Sequence, residues 1–201
     1  MIFLYYVLLF LVAFVLGFFN ISPWITGIIL FCGFYILLLQ RNPLLFGKDT
    51  EKMVLYLKNS KQAYLQFLYH IFHDDLESAE RPLMKVKSKV HRRIGEVMIF
   101  SKQKRYDEAK QAISEMKDNY VKWYYRAAIA LEERDYDTYR ECLPKINNET
   151  YRILIEAEEK RTYGHIEEAL KIVKLQIPKL RGIKLLSAVH YLDELEKEKI
   201  H

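Results

Sequence analysis

The sequence predicts an all-α protein: two N-terminal transmembrane helices, a superhelical stack of about four α-helical hairpins, and a C-terminal capping helix. Three observations carry that expectation. Residues 1–40 contain no Asp, Glu, Lys or Arg, so all 31 basic and 26 acidic side chains fall in residues 41–201. A local pattern returns at a fixed interval, as DLESA at 75–79, RYDEA at 105–109, DYDTY at 135–139 and HIEEA at 165–169. Strand-like alternation is absent, while apolar residues recur at helical spacing.

The charge-free leader is read first. Helices rise about 1.5 Å per residue and the hydrocarbon core is about 30 Å thick, so residues 1–40 have the length for two crossings, at 2–19 and 24–40. Asn20 to Pro23 supply the turn, with Ser22 as a capping type and Pro23 suited to a first turn. Trp24 falls where a membrane interface favours an amphipathic ring. A cleaved signal peptide would need a basic start and a small-residue cleavage site, and neither is present. One span plus an interfacial segment is the other arrangement. Arg41, Lys48 and Lys52 follow at once, while the connecting loop is uncharged. The positive-inside rule then expects a multi-pass protein of the cell membrane with residues 41–201 in the cytoplasm. The spans hold no ionisable side chain, so they read as an anchor in the bilayer rather than an ion path.

Residues 41–59 are read as a linker, punctuated by Pro43 and Gly47, and a lead-in helix; the repeat domain is 60–201. Aligning the recurring segments gives columns. Leu76, Tyr106, Tyr136 and Ile166 share one position; Ala79, Ala109, Tyr139 and Ala169 follow three residues on; Leu83, Ile113, Leu143 and Val173 follow seven on; Val86, Met116, Ile146 and Gln176 follow ten on. These offsets mark one face of a helix. Upstream, Phe67, Val97, Ala127 and Ala157 form a second set, with Tyr64, Ile94, Tyr124 and Leu154 three residues before them. Each unit is therefore a helical hairpin, at roughly 60–89, 90–119, 120–149 and 150–179. One hairpin cannot bury both faces, whereas a stack can. The stretch IKLLSAVHYLDELEKEK puts Leu185, Val189 and Leu192 on one stripe and reads as the capping helix.

The runs beginning at Trp123 and at Gly95 resemble tetratricopeptide units. Trp123, Ala127 and Tyr136 fit that family's early aromatic, midway small residue and later aromatic; Tyr106 and Ala109 fit its second-helix start. The resemblance covers the four hairpins and implies an α-α superhelix whose first helices line a concave, partner-binding groove. Two departures stand out: the period is shorter than the family's roughly 34 residues, and the proline that usually ends each unit is missing.

The sequence gives little chemistry. Cys32 and Cys142 lie far apart with no metal or redox spacing. HIFHDD at 70–75 is the densest ligand-type cluster, but it falls at a hairpin turn where polar residues are expected, and Asp74 or Asp75 suits an N-cap. No glycine-rich phosphate loop, HExxH, CxxC or GxSxG occurs. No enzyme activity, catalytic residue, cofactor or metal is expected. The expected function is a membrane-anchored adaptor. Its partner protein would lie in a groove lined by Tyr64, Leu68, Met98, Tyr124 and Leu131, and the bilayer would hold residues 1–40. An inner-face adaptor of that kind would serve envelope synthesis, cell division or secretion. The alternative is a membrane-surface or nucleic-acid binder acting through Lys85, Lys87, Lys89, Arg92 and Arg93. The missing stacking aromatics argue against nucleic acid. A net charge of +5 is compatible with either and with plain solubility.

Overall fold

A computed structural model describes residues 2–19, 22–40 and 42–200. Among these every regular element is helical: α1 Ile2–Phe18, α2 Pro23–Gln40, α3 Pro43–Phe46, α4 Thr50–Lys58, α5 Ala63–Ile71, α6 Leu76–Met84, α7 Lys89–Lys102, α8 Tyr106–Ser114, α9 Tyr120–Glu132, α10 Tyr136–Cys142, α11 Glu149–Thr162, α12 Ile166–Gln176 and α13 Gly182–Ile200. Single 3-10 turns extend α10 and α12 at Leu143–Lys145 and Ile177–Lys179.

The N-terminal pair corrects the sequence expectation. No helix among the described residues is long and apolar enough to cross a membrane, so the two transmembrane helices are not part of this fold. The helix stops at Phe18, and Phe19 already lies in the turn. That leaves 17 residues in α1 and 18 in α2, about 26 and 27 Å of helix against a hydrocarbon core of about 30 Å. Pro23 does open α2. Asn20, Ile21 and Arg41, on which the turn and the charge asymmetry drew, lie outside the described residues. The multi-pass, cytoplasm-facing placement rested on those spans and is not carried further.

The remaining helices form repeated hairpins packed together, in the register the columns gave. Leu76, Tyr106, Tyr136 and Ile166 are each the first residue of a second helix. Ala79, Ala109 and Ala169 are fully buried, and Tyr139 nearly so. Phe67, Val97, Ala127 and Ala157 are all fully buried on the first helices, where small side chains let the paired helices approach.

The period has a backbone origin that the columns do not show. Asp74, Lys104, Arg134 and Gly164 stand at the same point of the four hairpins and all have positive φ, at 54°, 57°, 60° and 81°. After each, an N–H reaches back to the preceding helix: Asp75 to His70 O, Arg105 to Phe100 O, Asp135 to Ala130 O and His165 to Lys160 O, at 2.8–3.0 Å. This is the Schellman closure, which turns the chain in one residue and satisfies the last carbonyls of the first helix. Asp75 and Asp135 then cap the second helix, accepting from Ser78 N and Thr138 N. Only one of the four left-handed positions is glycine, so Arg134→Gly is expected to raise stability by about 1 kcal/mol by removing Cβ strain. Chemical denaturation would read it as a higher midpoint at unchanged slope.

The core runs through three apolar clusters. One joins α7, α8 and α9 around Val97, Ala109, Ile113 and Ile129. The next joins α9, α10 and α11 around Leu131, Tyr139, Ile146 and Ile155. The third is the largest and links the two ends of the stack: Leu44, Met53, Leu57, Phe67 and Leu83 share it with Leu170, Val173, Leu185 and Leu195. Helix α13 therefore does more than cap the last hairpin. It packs on α12 and also on α3 and α4. Its first residue is tied to the linker, with Gly182 N–H donating to Gly47 O at 2.8 Å.

Candidate interaction surface

The first helices of the hairpins bring a set of tyrosines together. Tyr124 and Tyr125 of α9 meet edge to face at 5.5 Å between ring centres, and Tyr124 meets Tyr151 of α11 at 5.0 Å. Tyr64 of α5 stacks on His91 of α7 at 4.4 Å. Burial, with the Tyr151 hydroxyl nearby, pushes the Tyr64 hydroxyl up to about 12. Burial likewise raises Tyr124, reinforced by the Glu158 carboxylate. These tyrosines are half-buried, the environment in which an amphipathic ring suits an interface.

Beside them opens a cleft of about 520 Å³ whose walls include Tyr106, Tyr124, Tyr125, Ala128, Glu132 and Tyr191. Helix α13 closes one side through polar contacts. Tyr191 Oη donates to Glu158 Oε2 at 2.5 Å. Arg161 of α11 binds Glu158 at 2.6 Å and also pairs with Glu132 of α9. Lys102 at the end of α7 donates to Asp74 Oδ1 at 2.6 Å and to Glu194 Oε1 at 2.7 Å. Burial lowers the Arg161 pKa, but the Glu158 carboxylate outweighs it and the net shift is upward, so this cation is permanent.

Asp74, His190 and Glu194 bring ligand-type atoms within 4.8 Å of one another. The Lys102 ammonium sits on both carboxylates, so the positive charge that would balance them is already supplied by the chain. Burial raises the Glu194 pKa, but the His190 and Lys102 donors outweigh it and hold the carboxyl down at about 2. The depressed value fixes the sign of the pH dependence. The contribution of Glu194 to stability is complete above about 4.5, the ordinary value for such a group, and is lost as pH falls through about 2. Urea midpoints measured across that window should fall less steeply for Glu194→Gln than for the unaltered chain.

The residues singled out from sequence divide. Tyr64 and Tyr124 belong to the tyrosine surface. Met98 is partly buried and packs against the largest core cluster. Leu68 and Leu131 are 5% and 0% exposed, and are core. Both lie on the same helices as the tyrosines, and the column pattern cannot separate the inner face from the packed flank of a helix that is apolar on both. In the basic stretch, Lys85, Lys87 and Lys89 are exposed. Arg92 turns inward to donate to Val86 O at 2.7 Å and Met84 O at 3.2 Å, sealing the end of α6. Arg93 pairs with Glu96 at 2.5 Å and with Glu115. His70 meets Asp75 at 3.2 Å and His73 Nδ1 donates to Tyr69 O at 2.7 Å, so the two histidines of HIFHDD make local turn contacts, while Asp74 pairs with Lys102. Lys102, Arg161, Tyr191 and Glu194 were not found from sequence. The only signal was the spacing of Tyr191, Glu194 and Glu198 on one stripe of α13, which reads as a solvated helix face.

No family model, curated protein or solved structure matches the chain.

Proposed function

We propose that the chain is a protein-interaction adaptor whose hairpin array holds a segment of a partner protein against the tyrosine-lined cleft. The observation that carries this is the convergence of Tyr106, Tyr124, Tyr125 and Tyr191 on one cleft, from the hairpin helices α8 and α9 and from α13. Tyrosine offers large contact area at low entropic cost together with a hydroxyl for a partner's backbone, which is why it concentrates in recognition surfaces. The tetratricopeptide resemblance supports the same reading: the hairpins stack, and Tyr124 and Tyr125 lie on a first helix, the kind that lines the groove in that family. The basic-stretch alternative gains no support, because two of its five cations, Arg92 and Arg93, are engaged within the fold.

A photo-crosslinker at Tyr124 in cells tests the proposal. The expected result is one dominant captured protein, with capture abolished by Ala128→Arg, which fills and charges the cleft, while the melting temperature stays unchanged. Capture that survives Ala128→Arg, or none above background, overturns it.

A further inference from the structure

Among the described residues, the helical hairpin α1–α2 presents an apolar surface that stands exposed. Val12, Ala13 and Leu16 of α1 and Thr26, Leu30 and Gly33 of α2 are half-buried where the two helices meet. Outward stand Phe14 at 65% exposure, Phe18 at 78%, Trp24 at 84%, Ile28 at 61% and Phe31 at 68%. An apolar surface on this scale is not tolerated by a protein in water unless something occupies it.

We infer that the hairpin is a lipid-binding element, immersed in the acyl-chain region of a lipid layer from one side without reaching across it. Three features select lipid over a protein partner or a second copy. A protein partner covers one stripe and leaves polar flanks in water, whereas among the described residues the outward side chains of both helices are overwhelmingly apolar. Residues 2–40 carry no charged side chain with which to fix a partner's orientation. Beside the turn Phe18, Phe19 and Trp24 stand outward, at 78%, 70% and 84% exposure, with uncharged Ser22 as the exposed polar residue described there. Acyl chains satisfy all of this, because they solvate every face and the backbone groups are satisfied within the helices. At 17 and 18 residues the helices fall short of a full crossing, which makes the element a wedge into one side. Charged residues begin only past α2, with Lys48 exposed, so the hairpin stack stays in water.

The inference is independent of the adaptor reading and is tested on the full chain with phosphatidylcholine vesicles. The chain is expected to float with the vesicles at low and at high salt. In a Trp123→Phe background, Trp24 emission should shift to the blue and be quenched by brominated acyl chains. The pair Phe14→Asp and Phe31→Asp should lower the bound fraction by more than about tenfold, since a carboxylate among acyl chains is strongly disfavoured, with the far-UV melting curve of the hairpin stack unchanged. A chain that stays free of vesicles overturns the inference. So does binding that salt strips, binding that the paired substitution leaves intact, or a dimer that the same pair dissociates with no vesicle binding.

Discussion

Replacing Gly182 by alanine is expected to destabilise the protein by more than about 2 kcal/mol and to release α13 from the start of the stack. Two separate effects add. Gly182 has φ +57°, a conformation that costs an L-residue about 1–2 kcal/mol. A Cβ there would also lie 2.2 Å from Leu44 O and 2.6 Å from Leu44 C. These are backbone atoms of α3, so the linker or α13 must move, and the hydrogen bond from Gly182 to Gly47 goes with it. Gly164→Ala is the matched control: its φ is +81° but nothing lies within 4 Å of the added Cβ, so it should cost the conformational share alone. Hydrogen exchange should show α13 amides opening in Gly182→Ala and remaining protected in Gly164→Ala. Equal effects from the two substitutions would mean that the contact with Leu44 carries no weight.

The second large effect is expected at Phe67→Ala, a loss of about 3–5 kcal/mol. Phe67 is the largest fully buried side chain among the described residues. It stacks on Tyr64 at 5.9 Å between ring centres, and its ring lies 3.1 Å from where a Cβ on Gly95 would stand. Gly95 is what lets α7 close on this ring, and Leu83 Cδ1 fills the rest of the space, 2.4 Å from the same point. Phe67 sits in the cluster that joins the two ends of the stack, so the cavity loosens the α4–α13 closure as well as the first hairpin. For a chain of this size, each kcal/mol lowers the melting temperature by about 2–4 °C. A drop on the order of 10 °C is therefore expected, and one of only a degree or two would show that the site collapses around the missing ring.

The hairpin period was legible because it is written twice. The columns at Ala79, Ala109 and Ala169 and at Phe67, Val97, Ala127 and Ala157 follow helical spacing, and burial at a shared face is a local property that survives in a single sequence. The left-handed closures at Asp74, Lys104, Arg134 and Gly164 recur at the same interval, yet only Gly164 announces itself. The other three are held at positive φ by the Schellman hydrogen bonds, which no residue type encodes. The tyrosine surface was half legible: Tyr64 and Tyr124 stood out by residue type, while Leu68 and Leu131 looked equivalent on spacing alone and turned out to be core.

The N-terminal helices show the opposite limit. Apolar length counted along the chain suggested two crossings, but helix length is set by where the chain turns, and α1 ends at Phe18 while α2 begins only at Pro23. What the sequence by itself determined is therefore the all-helical class, the hairpin register and the charge-free leader, because each depends on the composition and spacing of neighbouring residues. What only the tertiary structure decided is that α13 turns back onto α3 and α4, and that Lys102, Arg161, Tyr191 and Glu194 meet across the cleft. Those contacts join residues far apart in the chain. They depend on the small rotation between successive hairpins, summed over four of them, and no local pattern fixes that sum.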